Sequence, residues 1–328
     1  MDTVDYRHLE LSTQILIDEA LRRNISVEVL DAQDNLIRLK KDGKTEYIMQ
    51  ASRTSADSYI VPLLMENKEI TKRILREHGI SVPHGIVVQS KEEADAQFPR
   101  FADTDIVIKP KSTNHGKGVT ILRRADKPHC LSAVSDALHY DRHVLIEEFL
   151  HGEEYRFLTI GDQVPAVLHR IPANVMGDGI HTIEYLVNEK NKDPRRGVGY
   201  TTPLEKIQLG QTETNYLSQA DRTIRTVPHQ NEVVYLRENS NISTGGDSID
   251  MTDEIPQGYK EIAVRAAKAI GAKICGADMI IRDMTQPPGE HNYGVIELNF
   301  NPALHMHDFP YRGKNRHVEA YILNLLGF

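Results

Sequence analysis

Two segments near the C-terminus, GADMIIRD (276–283) and YGVIELNFN (293–301), decide the fold because they have the pattern of two strands of one hairpin. Side chains alternate between the faces of a strand, so Asp278 faces one side of the first strand, while Glu297 and Asn299 share a face of the second. If these faces coincide, two carboxylates and an amide oxygen converge. Such an all-oxygen set suits Mg²⁺ better than Zn²⁺, and protein-bound Mg²⁺ usually also binds substrate phosphates.

The alternative for this hairpin is that its acidic residues are ordinary polar positions on a solvent-facing strand. The neighbouring residues argue against it, because they are apolar: Ile280, Ile281, Val295, Ile296 and Leu298. Carboxylates in such surroundings are partly buried, and burying them without a cation is costly. We therefore predict that Asp278, Glu297 and Asn299 hold a metal ion.

The composition indicates a globular protein of 328 residues with a formal net charge of −8 and 40% hydrophobic residues, which excludes an intrinsically disordered chain. No run approaches the roughly 20 apolar residues that span a bilayer, and the polar first ten residues show no secretory signal, so we expect no membrane partner. Cys130 and Cys275 are isolated, which favours a reducing, cytoplasmic location. The mild acidity argues against a nucleic-acid partner.

Helices and antiparallel hairpins mix along the chain without the steady strand–helix alternation of a doubly wound sheet, so we predict an α+β fold. Residues 11–21 have the spacing of an amphipathic helix, and a second helix is expected over about 66–78. Asp42-Gly43 is a hairpin turn signal. The stretch 174–230 is polar and loop-like apart from one helix near 182–191.

A segment rich in lysine and glycine, DIVIKPKSTNHGKGV (105–119), follows in importance. Lys109 ends an apolar strand, and Gly116 and Gly118 lie in the next loop. Glycines let backbone N–H groups approach phosphate oxygens, and lysines supply positive charge. The segment lacks the Gly-x-x-x-x-Gly-Lys-Ser/Thr pattern of a P-loop, and taken alone it is better explained by a surface hairpin.

A third segment, HVLIEEFLHGEEYRF (143–157), joins an apolar strand to an acidic stretch. Its free backbone groups are suited to a purine edge, and a carboxylate a few residues on is suited to ribose hydroxyls. Taken alone, the segment is better explained by a charged loop between strands. Lys68 lies in the first turn of its helix, where a cation opposes the helix dipole, so a ligand role competes with that of a solvated lysine.

In order and spacing these segments resemble the ATP-grasp superfamily. Lys68 is similar to the lysine that precedes the family's Gly-x-x-Val-Pro turn, here GISVP (79–83), and Lys109 in Ile-Lys-Pro is similar to its second nucleotide-binding lysine. Asp278, Glu297 and Asn299 resemble the family's metal ligands. The resemblance also implies a mobile glycine-rich loop, an adenine-contacting hinge and a ribose-binding acid, so that the nucleotide-binding residues are Lys68, Lys109, Ser112, His115, Gly116, Gly118, Glu147, Glu148, Phe149, Leu150 and Glu154.

The resemblance implies an ATP-grasp fold, in which two α/β subdomains clamp ATP between antiparallel sheets. We expect a short N-terminal α/β segment (1–82), a lid subdomain with the glycine-rich loop (83–152) and a C-terminal subdomain with the metal and acceptor sites (153–328). The implied cofactors are ATP and Mg²⁺, with two ions expected and Mn²⁺ as a substitute. The implied partners are a small-molecule carboxylate donor and an amine acceptor, and a homodimer is left open.

A closer resemblance joins nearly the whole chain to the ATP-grasp half of bifunctional bacterial glutathione-synthesising enzymes. It is carried by GDGIHTI (177–183), NKDPRRG (191–197), TPLEKI (202–207) and LRENSNISTGGDSIDMTD (236–253), and cyanophycin synthetase shares some of these motifs. The γ-glutamylcysteine ligase module that precedes this half in the fused enzymes has no counterpart here, so we expect a stand-alone chain.

The activity that the resemblance implies is ligation of γ-glutamylcysteine to glycine through an acyl phosphate. One alternative is a peptide or amino-acid ligase of a specialised pathway with another donor or acceptor. An alternative of a different class is a nucleotide-binding regulatory protein without turnover.

One departure from the family concerns positive charge. In the related D-alanine–D-alanine ligases an arginine lies two residues before the first metal-binding aspartate, where this sequence has Gly276. Arg237 is the candidate for the missing charge, and the implied catalytic residues are Arg237, Lys109 and Asn299.

Two further pairs have simpler interpretations. Arg195 and Arg196 are suited to a substrate carboxylate, but adjacent arginines in a loop are usually solvated. His305 and His307 are suited to a metal only if they lie on a strand, and a phosphate-linked site prefers oxygen ligands.

Overall fold

The computed structural model describes residues 5–112, 118–289 and 291–328. The helices in these ranges are α1 (Leu11–Arg22), α2 (Ile60–Glu66), α3 (Lys68–Glu77), α4 (Lys91–Gln97), α5 (Lys127–Leu138), α6 (Ile183–Lys190), α7 (Gln211–Ser218), α8 (Gln257–Ile270), α9 (His305–Asp308) and α10 (Val318–Leu325). The strands are β1 (Ser26–Asp31), β2 (Leu36–Lys41), β3 (Lys44–Met49), β4 (Gly85–Val88), β5 (Ile106–Pro110), β6 (Thr120–Leu122), β7 (Val144–Glu148), β8 (Glu153–Ile160), β9 (Gln163–Ile171), β10 (Asn174–Met176), β11 (Arg196–Gly197), β12 (Leu204–Glu205), β13 (Val233–Tyr235), β14 (Asp247–Asp250), β15 (Ile274–Ile281) and β16 (Tyr293–Asn299).

The largest sheet is antiparallel, with strand order β14-β9-β8-β15-β16. Its last two strands form the predicted hairpin, in which Asp278 lies opposite Glu297 and Gly276 lies opposite Asn299. One face packs on α8 and the α2–α3 pair, and the other face packs partly on α1 and α10. Because side chains alternate along β15, Asp278 lies on the face away from α8.

A second antiparallel sheet, of order β4-β7-β5-β6, packs on α4 and α5 and has its own apolar core. This sheet lies within the range 83–152 that was predicted as a lid subdomain, and the exact boundaries stay a prediction. Two antiparallel sheets with helices on their faces confirm the predicted α+β arrangement. Cys130 and Cys275 are both buried and free.

The N-terminal unit is a meander of β1, β2 and β3 next to α1. The turn at Asp42 and Gly43 has positive φ at both residues, +50° and +80°, as the two-residue hairpin signal predicted. Within the described ranges, no helix is long and apolar enough to cross a membrane.

The N-terminal unit is attached to the chain that follows β16. The Ser52 hydroxyl donates to Asn301 Oδ1 (2.7 Å), and Asn301 Nδ2 donates to Gln50 Oε1 (2.9 Å). Ser12 Oγ accepts from the backbone nitrogen of Leu304 at 3.0 Å. Side chains from the first 52 residues therefore hold the loop that leads out of the Glu297–Asn299 strand.

The predicted helix over about 66–78 is confirmed as α3 (Lys68–Glu77), and a separate helix that was not predicted, α2, ends just before it at Glu66. The Asn67 side chain accepts a hydrogen bond from Ile70 N (3.3 Å), so it caps α3 and separates the two helices. The stretch 174–230 was expected to be mostly loop. Its one predicted helix, near 182–191, is confirmed as α6, and the stretch also contains α7 and β10. Strand β10 pairs with β13, which follows the stretch, and these elements surround a small apolar core.

A buried acidic pair joins α9 to α10. Asp308 and Glu319 are each 3% exposed, and Arg22 lies 3.5 Å from Glu319. Burial, together with a hydrogen bond to Glu319, raises the pKa of Asp308 to about 9. The folded chain thus keeps a proton that the unfolded chain loses near pH 4, so this group lowers the free energy of unfolding as the pH rises between these values.

Replacing Asp308 with asparagine should reduce this pH dependence. Asparagine accepts from Val318 N as Asp308 does (3.0 Å) and donates to Glu319 without needing a proton. We expect Asp308→Asn to raise the free energy of unfolding at pH 8 by about 1–3 kcal/mol relative to its effect at pH 5. Urea denaturation at both pH values measures this, with Asp136→Asn on the exposed side of α5 as the control. Equal pH slopes in Asp308→Asn and the wild type would refute it.

Candidate active site

Charged side chains form a row on the face of the large sheet away from α8. Asp278 is 2% exposed and lies between Arg156 of β8 and Arg170 of β9. Arg156 donates to both carboxylate oxygens, with Nη2 2.7 Å from Oδ2. Arg170 Nη1 and Asn299 Nδ2 each lie 3.1 Å from Oδ2. Burial alone would raise the pKa of Asp278, but the two arginines lower it.

The arginines therefore supply the positive charge that we had expected from a metal ion. Glu297 is more open: its side chain is 32% exposed, and its carboxylate lies 3.5 Å from the Lys68 ammonium. Glu297 and the Asn299 amide offer the oxygen donors that Mg²⁺ prefers. Asp278 already accepts four hydrogen bonds, so it fits a metal only if one donor is exchanged. Within the described ranges, no group of three or more His, Cys, Asp or Glu side chains forms a metal site.

Gly276 leaves the space that Arg156 occupies. A Cβ atom at position 276 would lie 3.1 Å from Arg156 Cδ and 3.2 Å from its Nη1. Arg237, the candidate for the missing charge, instead pairs with the buried Glu213 of α7. Among the residues that the structure describes, Arg237 makes no ion pair with Asp278. The structure thus favours Arg156 as the positive charge next to this aspartate.

Arg170 extends the network toward the segment 236–253. Its Nη1 lies 2.7 Å from Glu154 Oε1, and its Nη2 donates to the Asn241 side chain. Ser240 donates to the other oxygen of Glu154, the predicted ribose-binding acid. Burial raises the pKa of Glu154, although Arg170 opposes this. Neither arginine was predicted as a site residue. The signal was that Glu154 and Arg156, two positions apart, share one face of β8, and that Arg170 lies opposite Glu154 in register.

A buried carboxylate on the four-stranded sheet lies between two lysines. Glu147 of β7 contacts Lys72 of α3 through one oxygen, and Lys109 of β5 through the other at 2.7 Å. Burial opposes ionisation of Glu147, but the two lysines lower its pKa to about 2. Burial would also lower the pKa of Lys109, and Glu147 raises it. Glu147 was predicted in the adenine hinge, and it lies instead inside a strand as the partner of the predicted phosphate-binding Lys109.

The remaining hinge residues connect the two sheets. Glu148 Oε1 accepts from His84 N, and Phe149 N donates to Asp105 O, both at 2.8 Å. Leu150 packs so closely on β16 that a Cβ at Gly294 would lie 2.3 Å from it. Within the described residues, the Leu150 backbone N–H makes no hydrogen bond. Beside this hinge is an open cavity of about 390 Å³ whose lining includes Arg100, Phe101, Asp105, Phe149 and His151.

The glycine-rich loop is described only at its two ends. Ser112 N donates to Asp141 Oδ2 (2.8 Å), and Gly118 has a φ of +71° in close contact with Pro110. The predicted nucleotide contacts His115 and Gly116 lie outside the described residues. Lys111, just before the loop, pairs with Glu69 of α3 at 2.8 Å.

The adjacent arginines are not both solvated, contrary to the simpler interpretation. The Arg196 side chain is fully buried and pairs with Asp247, which also lies 2.7 Å from Lys190. Arg195 pairs with Asp193 at 2.7 Å. These contacts attach the 174–230 stretch to β14 of the large sheet and leave Arg196 no access to a substrate carboxylate.

His305 and His307 lie on the short helix α9 and not on a strand, so their two-residue spacing does not bring them together on one face. Both are buried, and burial lowers their pKa values to about 4 and about 3. His305 Nδ1 lies 2.9 Å from Ser12 Oγ. The histidines are therefore neutral interior residues, as the oxygen preference of a phosphate site suggested.

Two family models match the chain. An ATP-grasp-like domain matches residues 7–60, and the ATP-grasp (A) domain of phosphoribosylglycinamide synthetase matches residues 66–172. With the two antiparallel sheets and the opposed lysines and acids, these matches identify the class: the chain belongs to the ATP-grasp superfamily.

More specific relatives cover almost the whole chain. The glutathione biosynthesis bifunctional protein GshAB of Desulfotalea psychrophila is 52% identical over 98% of this chain, and that of Clostridium perfringens is 53% identical over 98%. This chain spans 42% of the length of each of these two relatives. A crystal structure of a bifunctional glutathione synthetase from Pasteurella multocida matches 98% of this chain and 44% of that chain, with 45% identity and a TM-score of 0.75.

Proposed function

We propose that the chain is an ATP-dependent carboxylate–amine ligase of the glutathione synthase type, which joins γ-glutamylcysteine to glycine. The observation that carries the proposal is the contact of Lys68 with Glu297 at 3.5 Å, because it brings a predicted phosphate-binding lysine to a predicted metal-binding acid. Lys109 and the two arginines lie on the opposed elements around the same cleft. The similarity to proteins named for glutathione biosynthesis supports the choice of substrates.

In the proposed reaction the γ-phosphoryl group of ATP moves to the carboxylate of the donor, which gives an acyl phosphate with a good leaving group. The amine then attacks the acyl carbon, an amide forms, and phosphate leaves. Lys68 and Lys109 would bind and orient the polyphosphate, while Arg156 and Arg170 would stabilise charge that develops on the acyl group. The Leu150 N–H is proposed to bind the adenine edge. The 112–118 loop is proposed to exclude water from the acyl phosphate.

Glu297, Asn299 and, after exchange of one hydrogen bond, Asp278 would hold Mg²⁺. The ion would neutralise phosphate charge during transfer. Binding of two ions, and replacement by Mn²⁺, remain predictions. A homodimer, and the absence of nucleic-acid and membrane partners, are also predictions.

The test is ADP release by the purified chain with Mg²⁺, ATP and pairs of substrates. We expect release only when γ-glutamylcysteine and glycine are both present, together with a product of the mass of glutathione. Release with another donor or acceptor would support a ligase of a specialised pathway instead. ATP binding without release for any pair in a panel of dipeptides and amino acids would favour the non-catalytic, regulatory alternative.

A further inference from the structure

The two lysines that share Glu147 differ in their access to a ligand. The Lys109 side chain is 16% exposed, whereas that of Lys72 is 3% exposed. Lys72 leaves α3 among apolar side chains, including Met65, Leu75 and Val295. Lys109 can therefore touch a phosphate, and Lys72 can act on it only through its neighbours Glu147 and Lys109.

The charges around Glu147 do not balance. Two ammonium groups share one carboxylate, and in the described part of the chain the ion pairs of Lys72 and Lys109 are to Glu147 alone. On the packed elements, Lys68 of α3 pairs with Glu297 of β16 at 3.5 Å, and the charge of Glu297 also favours the protonated form of Lys109, with a raised pKa. With both lysines protonated, the cluster therefore carries one unit of uncompensated positive charge in a buried place, which is costly.

We propose that Lys72 is a positioning residue that gains a proton when a nucleotide polyphosphate binds beside Lys109, and that the resulting ammonium holds Glu147 against both lysines. The proton moves from solvent to Lys72 Nζ, and no other bond changes. This inference rests on the proposed function, because it requires a polyphosphate at Lys109.

The direction of the coupling follows from electrostatics. Burial, with Lys109 as the second cause, lowers the pKa of Lys72 to about 7 in the chain without ligand. Negative phosphate charge near Lys109 offsets the surplus positive charge, so it favours the protonated form of Lys72. By linkage, the protonated form must then bind the nucleotide more tightly. Above pH 7 each bound nucleotide should take up as much as one proton, and affinity should fall by up to about tenfold per pH unit.

Isothermal titration of the whole chain with MgADP, between pH 7 and 9 and in two buffers of different ionisation enthalpy, measures this uptake. We expect the wild type to take up a growing fraction of one proton with rising pH, and to bind more weakly. Lys72→Met should bind MgADP with no such uptake. Lys72→Arg, which stays charged throughout, should bind with an affinity that no longer falls with pH. Lys91→Met, on an exposed position of α4, should behave as the wild type.

The outcomes separate this inference from the proposed function. Failure of the wild type to bind MgADP would overturn both. Binding by the wild type without proton uptake would overturn only the role of Lys72. The same uptake in Lys72→Met or Lys72→Arg as in the wild type would also overturn it, because another group would then carry the proton.

Discussion

Replacing Glu297 with glutamine is expected to lower the rate of ATP-dependent ligation by roughly 10²–10³-fold, while the fold stays intact. Removal of one group that stabilises transferring charge typically has an effect of this size. Glu297 is suited to a clean test because its side chain is 32% exposed and its ion pair with Lys68 is long, at 3.5 Å. Loss of its charge should therefore cost little stability.

The measurement is the initial rate of ADP release against Mg²⁺ concentration for Glu297→Gln and the wild type. If Glu297 holds the ion, the variant should need more Mg²⁺ for half-maximal rate as well as being slower. Glu261→Gln, an exposed glutamate on α8, is the matched control and should keep the wild-type rate. An unchanged rate and Mg²⁺ requirement in Glu297→Gln would remove Glu297 from the site.

Replacing Asp278 with asparagine should have a different effect, because the change leaves Arg156 buried without its carboxylate and leaves Arg170 with Glu154 as its remaining carboxylate partner. Breaking a buried ion pair on one side typically costs about 3–5 kcal/mol. We expect the free energy of unfolding to fall by that amount and ligation to be lost. Since the arginines lower the pKa of Asp278, its contribution is present above its unfolded value near pH 4 and is lost as the pH falls.

Urea denaturation of Asp278→Asn at pH 7 measures this loss, and Asp34→Asn, in the exposed β1–β2 connection, is the control. The two variants should differ by several kcal/mol at pH 7, and the difference should shrink only as the pH falls below about 4 toward the lowered pKa of folded Asp278. Equal stability of Asp278→Asn and the wild type would mean that the arginines find other partners, and that the ion-pair network does not hold the three central strands together.

The hairpin of β15 and β16 could be predicted from sequence because both of its strands, and the polar residues on them, are local patterns. The residues that neighbour this hairpin in the folded sheet could not be predicted in the same way. Arg156 meets Asp278 only through the register of β8 against β15, which is set by the packing of the whole sheet. The missing charge was therefore assigned to Arg237, although the structure places Arg156, on a strand distant in sequence, next to Asp278.

The role of Glu147 shows the same limit. Its place next to a hinge was visible in the sequence, but its two lysine partners lie on other elements. Lys72 is 75 residues away on α3, and Lys109 is on the neighbouring strand β5. The position of Lys72, one helical turn after Lys68, was a signal that could have been used. Helix α7 and strand β10 of the 174–230 stretch were missed for another reason, since the small apolar core around them is assembled from short segments without long periodicity.

The hydrogen bonds of Gln50 and Ser52 with Asn301 affect how segments of different superfamily members can be joined in one chain. Asn301 comes two positions after Asn299, yet its amide is satisfied by side chains about 250 positions earlier in the chain. A chimera that joins residues 83–328 to the N-terminal portion of a distant homologue would remove both hydrogen-bond partners of the Asn301 amide. The loop after the Glu297–Asn299 strand would then be less firmly held, and the catalytic side chains on that strand would be less precisely placed. This would occur although every amino acid expected to touch nucleotide beyond Lys68 had been retained.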